Sequence, residues 1–368
     1  MAIPDAARHR YDGRCLRIAA LAVAVAAAAT IPSALALPGC GGGGETHPGA
    51  FTAVTTEQDG MLLSAFVASN GTVYMVGGVP GTAKGLLLRW DGAGVTRIPT
   101  PDAHAFWWIH GVSDGEMWLA GESAEVHRFD GTTLTRVDTG APAGSILFGV
   151  WGPGGGSDDL WIVGGSFITG APRQVIRRRS GGSWSAVASP DGLDAETTYF
   201  KVWGSGAADV WIVGDRGVIL RDQGSGPVRV DAPGAERYVT VHGCSASDVW
   251  AVGGGASGTA VHFDGTVWSA IPLVDVSPLN GVVCVGGAAY VGGYFGYAAR
   301  LAPGSAGGPA SATVIAMPVE LQNLAIHGMA AGPGLGGGAP RIVGAGANLV
   351  ATSTDPQHGF AVSLDLPR

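Results

Sequence analysis

VHGCSASDVWAVGGGASGTAVHFDGTVWSAIPL, residues 241–273, holds most of one unit of a repeat. With the two residues before it, it divides into short extended segments: VTVHG (239–243), DVWAVG (248–253), TAVHF (259–263) and VWSAIP (267–272). Each alternates β-branched or aromatic residues with small or polar ones, and Ser-Ala-Ser, Gly-Gly-Gly and Asp-Gly supply the turns between them. The same arrangement occurs upstream as YFKVWGSGAADVWIVGDRGVILRDQGSGPVRVDAP (199–233). A repeating four-strand unit therefore organises the chain.

On either side of this unit, an aromatic residue followed three positions later by glycine recurs in the second strand of each copy. The pairs are Tyr74/Gly77, Trp118/Gly121, Trp161/Gly164, Trp211/Gly214, Trp250/Gly253 and Tyr290/Gly293, with Arg341/Gly344 as a degenerate seventh. Their spacings of 44, 43, 50, 39, 40 and 51 residues, with four strands per period, predict an all-β fold: a single β-propeller. Seven four-stranded blades are expected, with six or eight as alternatives, at about 61–99, 105–140, 146–190, 198–233, 238–273, 279–318 and 323–367. Both FTAV (51–54) and FAVSLDLP (360–367) resemble a last strand. One of them suffices to close the ring, and the C-terminal copy is the expected one. Inserted loops are expected at 302–311 and 330–340. The second carries a GxGxxG string (Gly332, Gly334, Gly337), but no clear strand precedes it and no helix follows, so it does not read as a dinucleotide site.

The unit resembles the kelch and BNR-like propeller repeats found in bacterial exported lipoproteins. The residues that carry the resemblance are the glycine dyads (Gly77-Gly78, Gly164-Gly165, Gly253-Gly254), Phe-Asp-Gly at 129–131 and 263–265, and the late Trp184 and Trp268. It covers nearly all of 61–367 and implies the fold without a particular activity. A WD-type signature is missing, since Trp90-Asp91 is not repeated. BNR-type sialidases hold a carboxylate with a central arginine cluster. Here the arginines recur before the third turn (Arg89, Arg128, Arg221) and on the outer strand (Arg97, Arg136, Arg229), where charge protects a sheet edge.

The composition suits this reading: 63 glycines, 46% apolar and only 14% charged residues in 368 fit many short strands joined by tight turns. The first 40 residues differ in kind. Arg8, Arg10, Arg14 and Arg17 precede the uncharged run IAALAVAVAAAATIPSALAL (18–37), which ends at Leu37-Pro38-Gly39-Cys40. This is the layout of a secretory signal, and the cysteine after Leu-x-Gly looks like a lipobox, with Pro38 an unusual member. Residues 1–39 are therefore expected to be a lipoprotein-type signal peptide, 40–60 a lipidated N-terminus at Cys40 with a Gly-rich tether, and 61–367 the propeller. Release as a soluble secreted protein and an uncleaved anchor helix are the alternatives; all three put the domain outside the cytoplasm. Without 1–39 the chain carries 17 basic and 27 acidic side chains. With Lys84 and Lys201 its only lysines, nucleic acid is not an expected partner.

Three groups of residues could carry function. Glu116, Asp159, Asp209 and Asp248 open the second strand in four blades and are expected to accept backbone N–H bonds in the preceding turn. A set lying eight to ten residues before each anchor (Phe66, His110, Trp151, Trp203, His242, Val282) ends the innermost strand, and His327 is assigned the same place in blade 7. His110, Trp151, Trp203, His242 and His327 are the candidate ligand-binding ring at a channel mouth, able to take a sugar or a peptide side chain; packing between blades is the alternative. Cys244 and Cys284 occupy matching places in blades 5 and 6 and are disulfide candidates. One GxSxG string occurs, Gly111–Gly115, but it joins two strands of one repeat and not a strand to a helix, so it does not read as a nucleophile elbow. No HExxH, CxxC or P-loop is present, the nine histidines show no metal spacing within one element, and no cofactor is expected. The sequence points to an envelope-anchored binding or scaffold module for an extracytoplasmic protein or glycan. The alternative is a glycan-acting hydrolase or lyase with its site at the channel mouth.

Overall fold

The computed structural model describes residues 49–166, 172–234, 236–304, 310–349 and 357–367. Residues 47–368 form one compact unit, and its strands fall into seven four-stranded antiparallel sheets. The fold is a seven-bladed β-propeller. The repeat unit around 241–273 is blade 5, with strands Tyr238–Ser245, Asp248–Gly254, Gly258–Phe263 and Trp268–Ala270 from the axis outward. Blades 1 to 4 and 6 repeat this order along the chain. The end of the ring at which the innermost strands begin is its upper face, and the opposite end its lower face.

Blade 7 is built differently. Its inner three strands are Ala325–Gly334, Gly338–Ala347 and His358–Asp365, and its outermost strand is Thr52–Asp59. The N-terminal strand pairs with the C-terminal one from Thr52 opposite Ser363 to Asp59 opposite His358. Closure therefore uses both candidate segments. The C-terminal copy is the third strand rather than the fourth, and 52–59, expected within the tether, belongs to the last blade. The stretch 330–340 is likewise no loop insertion: two ten-residue strands run to a tight turn at Leu335–Gly337. The GxGxxG string sits on that hairpin tip, which docks on blade 1 through the Gly336 N–H to the Asn70 carbonyl, 3.2 Å. Cys40 and the expected signal segment lie outside the described residues.

The recurrent residues have local physical causes. The anchor aromatics Trp118, Trp161, Trp211 and Trp250 are among the largest fully buried side chains and fill the spaces between successive sheets. Each burial is worth several kcal/mol, on the order of 3–5 by truncation. The glycine three residues later leaves room for a carbonyl: a Cβ on Gly164 would stand 2.1 Å from the Ile146 oxygen, and one on Gly253 2.2 Å from that of Arg237. In Phe-Asp-Gly the carboxylate caps the turn, Asp130 accepting from the Thr132 and Thr133 N–H groups at 2.9 and 2.7 Å. Asp264 repeats this with Thr266 and Val267, and Gly131 and Gly265 supply the positive φ of 94° and 97°.

Candidate functional site: the central channel

Every innermost strand carries a bulge near its upper end, at the residue skipped between two register pairs. From blade 1 to blade 7 these residues are Leu63, Trp107, Phe148, Phe200, Val239, Asn280 and His327. A bulge turns one extra side chain out of the alternation, and here the contacts show where these go. Trp107 stacks edge-on against Phe148 at 5.0 Å, and Phe148 against Phe200 at 5.5 Å. Trp107 also meets His327 at 5.6 Å. Blades 2 and 7 are not neighbours, so this last contact is made on the axis side of blade 1. One step along the strands, Lys201 of blade 4 lies over the Trp108 ring of blade 2 at 4.3 Å, again past an intervening blade. Its Nζ donates to the Phe148 carbonyl at 2.7 Å. The upper part of the channel is thus lined, from blade 7 through blade 4, by aromatic rings, one imidazole and one ammonium.

Lys201 is 2% exposed, and burial lowers its pKa from 10.5 to about 7. The ring face and one carbonyl are a thin substitute for water around an ammonium. Burial also lowers His327 to about 3, the nearby Lys201 charge adding to the effect and its bond to Leu63 opposing it. That imidazole is neutral, and its Nδ1–H donates to the Leu63 carbonyl at 2.6 Å.

The second tier lies toward the lower face. Phe66, His110, Trp151, Trp203 and His242 each stand opposite the anchor of their own blade. All five reach sideways to the next blade. A Cβ on Gly204 would stand 2.6 Å from the Trp151 ring, and one on Gly243 2.5 Å from that of Trp203. His110 Nε2–H donates to the Gly152 carbonyl at 2.8 Å, and His242 Nδ1 accepts the Cys284 N–H at 3.2 Å. His110 and His242 are both held near a pKa of about 4. Burial is the main cause, and for His242 the charge on His110 comes next, so the two imidazoles sense each other within this tier. Rings of His110 and Trp151, and of Trp203 and His242, adjoin at 6.2 and 5.5 Å.

Four of the five expected ring residues therefore share a tier, and His327 does not. Blade 7 is out of step: Gly346 and Val343, not Gly344 and Arg341, take the anchor places, because Gly346 stands opposite Ile326 as Gly164 stands opposite Leu147. The ring place in blade 7 is then Ala330, and His327 belongs to the bulge tier. In blade 6 the shorter hairpin puts Val283, not Val282, opposite Tyr290.

The carboxylates that open the second strands have other partners than the expected turn amides. Arg128 bonds Glu116 at 2.7 Å, Arg178 grips Asp159 with two nitrogens at 3.1 Å, and Arg221 bonds Asp209 at 2.7 Å. In blades 3 and 4 the guanidinium also lies over the anchor ring, at 4.9 Å from Trp161 and 4.5 Å from Trp211. A tryptophan, a carboxylate and an arginine thus form one lower-face unit. Cys244 and Cys284 are joined by a disulfide with Cα atoms 5.1 Å apart, linking the inner strands of blades 5 and 6.

The sequence reading missed Trp107, Phe148, Phe200 and Lys201, and also a buried carboxylate pair on the upper face of blade 2. Glu122 and Glu125 flank a turn whose Ser123 and Ala124 both have positive φ, 56° and 57°. Glu125 bonds the His104 Nδ1 at 3.0 Å and the Arg136 guanidinium at 3.3 Å. Glu122 accepts the Gly81 N–H at 2.7 Å, and burial raises its pKa. The available signals were a lone lysine inside the apolar strand YFKVWG and two glutamates spaced for a tight turn, where the other blades have none.

No protein-family model and no curated protein matches the sequence. Among solved structures, the chain is similar to an ancestral GH74 enzyme (TM-score 0.62, 10% identity), over 84% of this chain and 47% of that one, so it spans about half that enzyme's length. It is also similar to the WD40 repeats of RRP9 (TM-score 0.64, 8% identity, 88% and 99% of the two chains). The C-terminal WD40 domain of Sif2 gives a TM-score of 0.55 at 12% identity over 87% and 99%. Likeness at these identities is likeness of fold: the chain is a seven-bladed β-propeller whose channel is lined above by its own aromatic side chains.

Proposed function

We propose that this propeller is a rigid binding module that is exported, anchored at Cys40 and docks an extracytoplasmic protein on its upper face, near blade 6. The channel side chains support a platform, because His110, His242, His327 and Lys201 spend their hydrogen bonds on the backbone of adjacent blades. One observation carries the choice of surface. Val274, Phe295 and Val319 are 81%, 59% and 78% exposed and come from three consecutive upper-face loops. Those loops are tied together by the Tyr294 N–H to the Pro278 carbonyl and the Gly296 N–H to the Leu324 carbonyl. Phe295 is held outward at φ 55°, a conformation that costs a side-chain-bearing residue roughly 1–2 kcal/mol. Exposed aromatic and aliphatic groups gathered on one rim are what a protein partner buries. Export and anchoring rest on the basic segment, the apolar run and Leu-Pro-Gly-Cys, and kinship with kelch and BNR-like lipoprotein repeats rests on the glycine dyads and Phe-Asp-Gly.

A photo-crosslinking residue placed at 295 in the envelope-bound protein should give one discrete adduct. The same residue at Val228, exposed on the outer strand of blade 4, should not. Equal labelling at both, or none at 295, overturns the assignment. A fatty-acid analogue should label the wild type and not Cys40→Ser; equal labelling refutes the anchor alone.

A second reading, glycan hydrolysis at the upper face, is favoured by Glu122 and Glu125. A buried carboxyl with a raised pKa beside an ion-paired one is the arrangement that supplies an acid and a base. Turnover of an aryl glycoside lost in both Glu122→Gln and Glu125→Gln would establish it; turnover unchanged in either, or absent from the wild type, would remove it.

A further inference from the structure

Blade 5 breaks the pattern of the lower-face units. Where blades 2, 3 and 4 set an arginine against the carboxylate, blade 5 has His262, whose Nε2 lies 2.9 Å from Asp248 Oδ1. The same oxygen accepts the Trp250 indole N–H at 2.8 Å. Asp248 Oδ2 is left facing sulfur, 3.9 Å from Cys284 Sγ. The Cys244, Cys284 and Asp248 ligand atoms all lie within 4.8 Å of one another, with Cys244 exposed and Cys284 buried. The one blade of these four without a permanent cation at this place is thus the one with two sulfurs beside its carboxylate.

We propose that the Cys244–Cys284 bridge is the closed form of a redox-gated metal site, and that on reduction Cys244, Cys284 and Asp248 bind one soft divalent cation such as zinc. Opening the bridge with a phosphine in water turns the disulfide and the phosphine into two thiols and a phosphine oxide. Metal binding then releases the two thiol protons. The geometry suits this without a large backbone change. Tetrahedral zinc bonded to sulfur at about 2.3 Å holds two sulfurs about 3.8 Å apart, a small separation for strands already bridged at a Cα distance of 5.1 Å. The electrostatics point the same way. Two thiolates and a carboxylate would crowd three negative charges into one spot beside an imidazole, and a divalent cation relieves that crowding.

The surroundings are also those of a metal centre. His262 and Trp250 both hold Asp248 Oδ1, fixing the carboxylate so that Oδ2 is presented, the role outer-shell donors play around metals. His242 Nδ1 accepts the Cys284 N–H and orients that residue's strand. Three protein ligands leave a fourth position for water or a ligand. No spacing along the chain signals this site, because its ligands come from two blades; Cys244 occupies a second bulge, skipped between Gly243 and Ser245.

The test uses the full chain, reduced anaerobically with a phosphine, freed of reductant and titrated with Co²⁺ alone. The expected result is one equivalent bound, with thiolate-to-cobalt absorption that Zn²⁺ abolishes. The oxidised protein and Cys244→Ser/Cys284→Ser should show no such band, and Asp248→Asn should bind at least tenfold more weakly. Circular dichroism checks that each sample is folded. If the double serine variant is not, Cys15→Ser/Cys40→Ser, which keeps only the two bridge thiols, takes its place and should retain the band. A band that persists without these two thiols belongs to Cys15 or Cys40 and overturns the proposal. So does a reduced wild type that shows no band, or one that unfolds and is not recovered by metal.

Discussion

Replacing Lys201 by methionine should remove a specific pH dependence of stability. Methionine keeps the unbranched stem against Trp108 and deletes the charge. In the folded protein the ammonium titrates at about 7 instead of 10.5. Between those values the unfolded chain binds a proton that the native state does not, so this group makes stability rise with pH. Its contribution is complete above 10.5, declines as pH falls through the window, and is lost below 7. The slope approaches about 1.3 kcal/mol per pH unit in mid-window, and summing it from pH 7 to pH 9 gives about 2 kcal/mol. The substitution also removes the bond to the Phe148 carbonyl, costing about 1–3 kcal/mol at every pH; the slope, not the absolute stability, is therefore decisive. Denaturant unfolding of wild type and Lys201→Met from pH 6 to 9.5 should give curves that diverge by about 2 kcal/mol between pH 7 and 9. Parallel curves would refute the placement of a buried, weakly solvated ammonium in the channel.

The same geometry sets three other outcomes. His110 and His242 titrate at about 4 and His327 at about 3 in the folded chain, against 6.5 unfolded. Thermal stability should therefore fall as pH drops from 6.5 toward 4, and His327→Asn should flatten that decline in a melting series. Gly111→Ala sets a Cβ 2.2 Å from the Phe66 ring and should destabilise by about 1–3 kcal/mol. Phe66→Val should recover part of the loss in a double-mutant cycle, and additive effects would place the conflict elsewhere. Opening the Cys244–Cys284 bridge, which closes a loop of 40 residues, should lower unfolding free energy by about 3–4 kcal/mol in the chain-entropy account, read from denaturation with and without a phosphine.

How much of this was legible in the sequence depended on whether a feature repeats at short range. The blades were, because each anchor tryptophan and its glycine answer to contacts within the same or the adjacent sheet. Ring closure was only partly so: 51–54 and 360–367 each read as a last strand, but nothing near Thr52 or Ser363 announces that the two pair with each other. The lower-face units were half legible. The carboxylates recur in register, and so do the arginines, but the register that sets them side by side exists only once the second and third strands are paired. Sequence alone therefore assigned them to different tasks.

The channel was misread for a more specific reason. Counting back a fixed number of residues from an anchor assumes unbroken alternation, and a single bulge reverses the face on which each later side chain stands. All seven innermost strands carry a bulge at the same place, so counting from the far side of it recovered Phe66, His110, Trp151, Trp203 and His242 as one tier. It hid the bulged residues themselves, Trp107, Phe148 and Phe200, which pack on one another around the channel. Blade 7 lacks an aromatic anchor and has a longer inner hairpin, so no count from an anchor reached Ala330, and His327, fourteen residues before Arg341, was joined to the wrong tier. The misassignment has a functional consequence. A histidine in the lower tier would stand with His110 and His242 near one mouth. Placed in the upper tier, His327 bonds Leu63, packs on Trp107 and senses Lys201. There the protein's own rings crowd the upper end of the channel.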